Sequence, residues 1–290
     1  MLGWAGPNGK SSQVYVTKLG ADGSKVRQKT VTKVTRQPRD GLPNEVYDVD
    51  VAVTPSGEVI CTWADTRDGN PEIYVARTNR QLERQKREVR LTNTEGPSVE
   101  PQLILVGDEA LVAFSEATGD DADIHLARLA IPSLERRGDV TRVHDSEGRS
   151  HQPRWVGEGA GSLALTWLDE EPEDRAVMRL LALDDHGKSL TAVRTLTVVG
   201  GTRVTSGALA CTAKQCRGVV SALGQGRLLL GALETRRELG APVNVTPLVD
   251  LAGGTDQELG LTLAATDASV VVFVRDRGAG SLLRRLDLRW

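Results

Sequence analysis

Short runs in which apolar and polar residues alternate, each closed by a turn rich in Gly, Pro or Asp, follow one another along the chain. The clearest set is VDVAVTPSGEVICTWADTRDGNPEIYVAR, Val49 to Arg77, which reads as three short strands and two turns. Asp50-Val51-Ala52-Val53 alternates as a first strand, Pro55-Ser56-Gly57 supplies a turn, and VICTW ends the second strand at Trp63. An acidic loop then leads to a third strand, EIYVARTN at 72–79, and REVRLTN at 87–93 closes the unit as a fourth. The 3.6-residue period of a helix is absent throughout, so the chain reads as all-β.

The same grammar recurs. Phe114 ends LVAF, Trp167 ends LALTW and Phe273 ends VVVF as Trp63 ends VICTW, at intervals of 51, 53 and 106 residues, the last being twice 53. Trp4 opens the series, and Val219-Val220 fills the degraded place between Trp167 and Phe273. Third strands follow at 13–19, 72–79, 123–129, 176–183, 227–233 and 281–288, and fourth strands at 139–145 and 242–248. A period near fifty with several short strands per repeat is the mark of a β-propeller. One propeller domain spanning 1–290 is expected, with blades near 1–35, 46–94, 99–145, 151–199, 203–248 and 257–290. Six four-stranded blades with incomplete terminal ones fit the landmarks best. The alternative is five blades, the last closed by an N-terminal strand near Val26–Thr32.

Composition narrows the function classes. Aromatics are only 3%, so the core is left to Val, Leu, Ala and Ile, and a net charge of −3 argues against a general nucleic-acid binder. No apolar run approaches the roughly 20 residues of a membrane helix. MLGWAGPNGK has no signal-peptide pattern and opens in mid-repeat, so a truncated or processed chain is expected. Cys61 lies in an apolar strand and reads as a small buried hydrophobe. Cys211 and Cys216 flank a predicted tight turn, where two hairpin arms bring Cβ atoms within disulfide range; two reduced thiols are the alternative. A bridge there points to an oxidising, extracytoplasmic setting: periplasm, cell surface or secreted.

Trp63-Ala64-Asp65-x-Arg67-Asp68-Gly69-Asn70, followed by Glu72-Ile73-Tyr74-Val75-Ala76-Arg77, resembles the repeats of sialidase-like and TolB-like bacterial β-propellers. The resemblance is close only over Val49–Arg77 and implies a propeller of a secreted or surface kind; it extends to the hairpin cysteines Cys211 and Cys216. The chain departs from it where chemistry is concerned. Sialidase Asp-box turns, Ser-x-Asp-x-Gly-x-Thr-Trp, are missing, and for the Tyr/Glu nucleophile only Tyr47, with Arg36 and Arg39 nearby, stands where a central site is expected.

Charge sorts by loop. The loops between second and third strands carry Asp65, Asp68 and Glu72, then Glu116, Asp120, Asp121 and Asp123, then Asp169, Glu170, Glu171, Glu173 and Asp174. Those between third and fourth strands carry Arg80, Arg84, Lys86, Arg87, Arg136, Arg137, Arg236 and Arg237. An acidic face suits a cationic protein partner or a divalent ion, while local Asp–Arg pairing is the plainer reading. Calcium is kept as a minority reading for Asp65–Glu72, whose spacing is not that of an EF-hand, and no other cofactor or metal is expected. With no HExxH, GxSxG or phosphate-binding Gly loop, the expected function is a non-enzymatic platform binding protein or glycan. The alternatives are a glycoside hydrolase using paired carboxylates in the channel, or a structural subunit of a larger envelope assembly.

Overall fold

The computed structural model describes residues 1–20, 22–30, 44–157, 161, 163–211, 214–224, 227–236, 243–245, 247–251, 257–263, 269–276 and 280–287. Arg36, Arg39 and Arg237 lie outside them. The chain divides into two compact units: Met1–Ser146 with His151–Pro153, and Glu147–Ser150 with Arg154–Trp290.

Unit 1 begins with an antiparallel meander of β1 (Leu2–Asn8), β2 (Ser11–Leu19) and β3 (Lys25–Thr30). Two four-stranded meanders follow: β4 (Val46–Val53), β5 (Val59–Asp65), β6 (Glu72–Thr78) and β7 (Arg84–Arg90), then β8 (Ser98–Val106), β9 (Glu109–Thr118), β10 (Asp121–Ala130) and the two-residue β11 (Thr141–Arg142). The order resumes with β12 (Ser150–Trp155), whose His151–Pro153 belong to unit 1, and continues in unit 2 with β13 (Ala164–Glu171), β14 (Arg175–Ala182) and β15 (Arg194–Val198). Then come β16 (Arg203–Cys211), β17 (Gln215–Gly224), β18 (Arg227–Arg236), β19 (Val243–Val245) and β20 (Pro247–Leu251), and last β21 (Gln257–Leu263), β22 (Ser269–Asp276) and β23 (Gly280–Asp287). The first and last sheets have three strands, and in unit 2 the strands β12 to β20 join in one nine-stranded sheet in which β14 pairs β16 in parallel. Up-and-down meanders repeated along the chain in this way are those of a β-propeller, and the fold is all-β.

One repeat departs from the pattern. The segment expected as a single fourth strand at 242–248 is split: β19 pairs in parallel with β15, and β20 pairs antiparallel with β18. Pro247, which has no amide to donate, opens β20 at the point where the β18–β20 register shifts.

Sequence explains the layering. β5, VICTWAD, is buried at every position, as befits an inner strand covered on both faces. The landmark residues Trp63, Phe114 and Trp167 are all fully buried, each ring contributing about 1.5–3 kcal/mol by its removal from water. Each faces a fixed third-strand partner in register: Tyr15 opposite Trp4, Tyr74 opposite Trp63, His125 opposite Phe114 and Arg179 opposite Trp167. The first three pairs stack, with centroids 5.6, 6.0 and 5.9 Å apart. Gly96 and Gly148 occupy equivalent places before first strands. A Cβ on either would sit 2.0 Å from the carbonyl oxygen of Ala117 or Glu170, so any side chain there pushes the strand entry off its neighbour.

Cys211 and Cys216, directly opposite in the β16–β17 hairpin, are joined by a disulfide, and Cys61 is buried as a thiol whose ionisation burial opposes.

Glu109, buried at the start of β9, binds Arg128 through contacts of 2.7 and 3.0 Å and Arg137 at 2.9 Å. The hydrogen bond from Arg128, then the charges of both arginines, hold its carboxyl below the usual range against the opposing effect of burial. Its contribution is therefore complete above the unfolded-state value of about 4.3 and is lost as pH falls through the lower folded-state value. Glu109→Gln is expected to lower the denaturation midpoint near neutral pH, and the wild-type and variant midpoints should converge below about pH 4.3. A constant gap across that range, measured by chemical denaturation, contradicts the assignment.

Candidate active site

Three first-strand residues of unit 1 share an unusual backbone conformation. Asp48 in β4, Glu100 in β8 and Gln152 in β12 have φ of 53°, 56° and 54°, in the left-handed region. They recur every 52 residues. In β4 and β8 the position lies inside a β-bulge, where the register with the second strand shifts between Tyr47 and Asp50 and between Val99 and Gln102. Left-handed geometry costs a non-Gly residue about 1–3 kcal/mol, and neither Glu nor Gln is a favoured turn former. Such strain persists only where surrounding contacts hold it, and bulges of this kind re-aim side chains beside active sites.

The contacts that hold it link the repeats. The Glu100 amide donates to Asp48 Oδ2 at 3.1 Å, and the Gln152 amide donates to Glu100 Oε2 at 2.6 Å. Asp50 completes the junction: its Oδ2 accepts from the Leu103 amide at 2.7 Å and its Oδ1 from the Val51 amide at 2.9 Å. Each strand thus presents an acid to the backbone of the next. Asp48 is exposed and Glu100 half-buried, so both carboxyl groups reach solvent. Beside them, burial first and then the charges of Asp48, Glu45 and Asp65 push the Tyr47 phenol up to about 12, which keeps it a hydrogen-bond donor.

The acids singled out by loop position have separate fates. In unit 1, Asp65 is fully buried and accepts from Trp63 Nε1 at 3.1 Å, from the Arg67 amide at 2.9 Å and from the Arg67 guanidinium. Glu72, also fully buried, accepts from Arg90 at 2.8 Å, Thr92 Oγ1 at 2.5 Å and the Thr94 amide at 3.0 Å. Asp68 pairs with Arg90 and takes the Tyr74 hydroxyl, and Asp121 caps the Ala122 amide. Asp120 is exposed at the β9–β10 turn, and Glu116 is half-buried in a groove. In unit 2, Asp169 is buried against Trp167 Nε1 (2.7 Å), Ser150 Oγ (2.5 Å) and Arg179 Nε (2.7 Å). Glu170 and Asp174 both pair with Arg203, Glu171 pairs with Arg175 and Arg179, and Glu173 is exposed with φ of 64°. Asp65, Glu72 and Asp169 are therefore committed to internal networks. Among the described residues no group of three or more His, Cys, Asp or Glu side chains is placed to hold a metal ion.

Asp48 and Glu100 were not legible as site residues by loop sorting, because they lie in strands. Their signal was the 52-residue spacing itself, together with the shared Ser-x-(Glu/Gln)-Pro of 98–101 and 150–153.

No protein-family profile matches the chain, and no characterised protein sequence matches it. Solved structures similar to it include a GH43 endo-arabinanase from Bacillus licheniformis, with 13% identity over 84% of this chain and 93% of that one and a TM-score of 0.45. A β-1,2-mannobiose phosphorylase from Listeria innocua shares 12% identity over 89% and 92% with a TM-score of 0.48. A family 117 glycoside hydrolase from Zobellia galactanivorans shares 11% over 84% of each chain, with a TM-score of 0.45. Likeness at this level transfers no residue role and no activity. The expectations that the chain is a non-enzymatic binding platform, and that it is not an enzyme, are nonetheless corrected here: these similar structures are those of glycoside-processing enzymes. Of the acids on which the docking face rested, Asp65, Glu72 and Asp169 are buried in internal networks, and Asp68, Glu170, Glu171 and Asp174 are paired with arginines.

Proposed function

We propose that the chain is a glycoside hydrolase whose working carboxylates are Asp48 and Glu100. The observation that carries this reading is the hydrogen bond from the Glu100 amide to Asp48 between two strained first-strand bulges. Glycosidases set their two carboxyl groups about 5–9.5 Å apart, and an Asp oxygen touching the other acid's own amide places the pair within side-chain reach of that span. With Oε2 engaged by the Gln152 amide, Glu100 has Oε1 for the glycosidic oxygen, and we assign it proton donation to the leaving group. Asp48 is assigned the other half: attack at the anomeric carbon, or removal of a proton from the attacking water. The Tyr47 phenol, a donor at all working pH values, is assigned to the sugar hydroxyls. The partner on this reading is a glycan, and no cofactor is invoked.

The setting we infer is extracytoplasmic, supported by the Cys211–Cys216 disulfide. A finer affiliation with the sialidase-like or TolB-like propellers rests on the Trp63–Arg77 sequence pattern alone. Incubating the chain with arabino-, xylo- and manno-oligosaccharides, a set that includes sugars named for the similar structures, and following new reducing ends tests the activity. Turnover on at least one glycan is expected; a flat result across a broad panel removes the proposal.

A further inference from the structure

A second site of different character lies within unit 1, apart from Asp48 and Glu100. A groove of about 600 Å³ runs from the end of β7 and the residues after it, past Glu116 of β9 and His125 of β10, to the segment holding Arg136 and Val140. That volume is in the usual range for small-molecule sites, roughly 300–1,000 Å³. Its apolar wall is offered by Val89 and Val140, both half-buried, and the edge of Leu91, with Leu129 fully buried behind them.

Not every charged side chain around it is paired. Arg90 is occupied by Glu72 at 2.8 Å, Asp68 at 3.3 Å and the Thr92 carbonyl at 2.8 Å. His125 is stacked on Phe114, with Nδ1 3.3 Å from the Asp123 carbonyl. Arg136 is exposed, and among the described residues no hydrogen bond or ion pair engages its guanidinium. The carboxyl in the lining, Glu116, has no hydrogen-bond partner among the described residues either. Burial raises its pKa, the His125 charge pulls it back, and the Glu72 charge raises it further.

We propose that this groove binds a small organic carboxylate, its acid group paired with Arg136 and its apolar body laid on Val89, Val140 and the edge of Leu91. A guanidinium with no internal partner beside an apolar wall matches such a ligand in both parts: the fork takes the carboxylate and the wall takes the hydrocarbon.

Titration calorimetry on the full chain with phenylacetate, and with phenylacetamide as its uncharged twin, tests this. Phenylacetate is expected to bind at one saturable site and phenylacetamide at least tenfold more weakly. Arg136→Ala should weaken phenylacetate at least tenfold and leave phenylacetamide unchanged, and because Arg136 is exposed and unpaired the variant should fold normally. The Asp48→Asn, Glu100→Gln double variant should bind phenylacetate as wild type does, whatever becomes of glycan turnover. Equal binding of acid and amide, an Arg136→Ala affinity within twofold of wild type, or no saturable phenylacetate binding at millimolar concentration overturns the proposal.

Discussion

Asp48→Asn and Glu100→Gln are each expected to lower kcat on a responsive glycan by about 100-fold or more, the scale on which a positioned acid or base contributes. Both substitutions keep a side-chain oxygen of the same reach. The carboxamide oxygen introduced by Asp48→Asn can still accept the Glu100 amide, and that introduced by Glu100→Gln can still accept the Gln152 amide. The bulges therefore retain the contacts that hold their left-handed residues. Stability should move by less than about 1 kcal/mol, the size of one ordinary hydrogen bond. KM should change little, because the groups lost act on the breaking bond more than on the bound sugar. Circular dichroism, thermal melts and steady-state kinetics on the two variants separate the outcomes. Full activity in either variant shows that its acid serves the fold and not the reaction.

Asp65→Ala should cost far more stability than the loss of an exposed acid of the second-to-third loops of unit 1. The carboxylate is fully buried and satisfies the Trp63 indole N–H, the Arg67 amide and the Arg67 guanidinium, and lies 3.4 Å from the amide of buried Asn44. Arg67, itself 8% exposed and lying 4.5 Å over the Tyr74 ring, would keep Glu88, at 2.8 Å, but lose its Asp65 partner. Breaking one side of a buried ion pair costs about 3–5 kcal/mol, and the stranded indole N–H adds to it. Asp120→Ala, at an exposed turn, is the matched control and should stay within about 0.5 kcal/mol of wild type. If urea denaturation gives the two variants equal midpoints, the Trp63–Asp65–Arg67 network contributes nothing to stability. Asp169, with Trp167, Ser150 and Arg179, provides the same test in unit 2.

The architecture was readable because it is periodic. Turn residues at Pro55–Gly57 and the aromatic landmarks at Trp63, Phe114 and Trp167 mark strand ends, and strands follow from alternation between them. What the pattern could not show is where polar side chains go once strands stack. Asp65 and Asp169 read as solvated loop acids because composition places carboxylates outside. They are inside because Trp63 and Trp167, two residues earlier on the same strand face, need acceptors for their indole N–H groups. That Trp-x-Asp spacing was present in the sequence twice. The exchange of β19 onto β15 is a pairing across repeats, which local alternation cannot encode. Asp48 and Glu100 were hidden for a third reason: a bulge changes which way a strand residue faces without changing its composition.

The central claim is that Asp48 and Glu100 act as one unit on one bond. Groups that act together are strongly non-additive when removed, whereas independent contributions multiply. The deciding measurement is kcat for wild type, Asp48→Asn, Glu100→Gln and the double variant on the same glycan. The account predicts a double variant about as slow as the slower single one. A double variant whose loss is the product of the two single losses, or single variants at the wild-type rate, contradicts it.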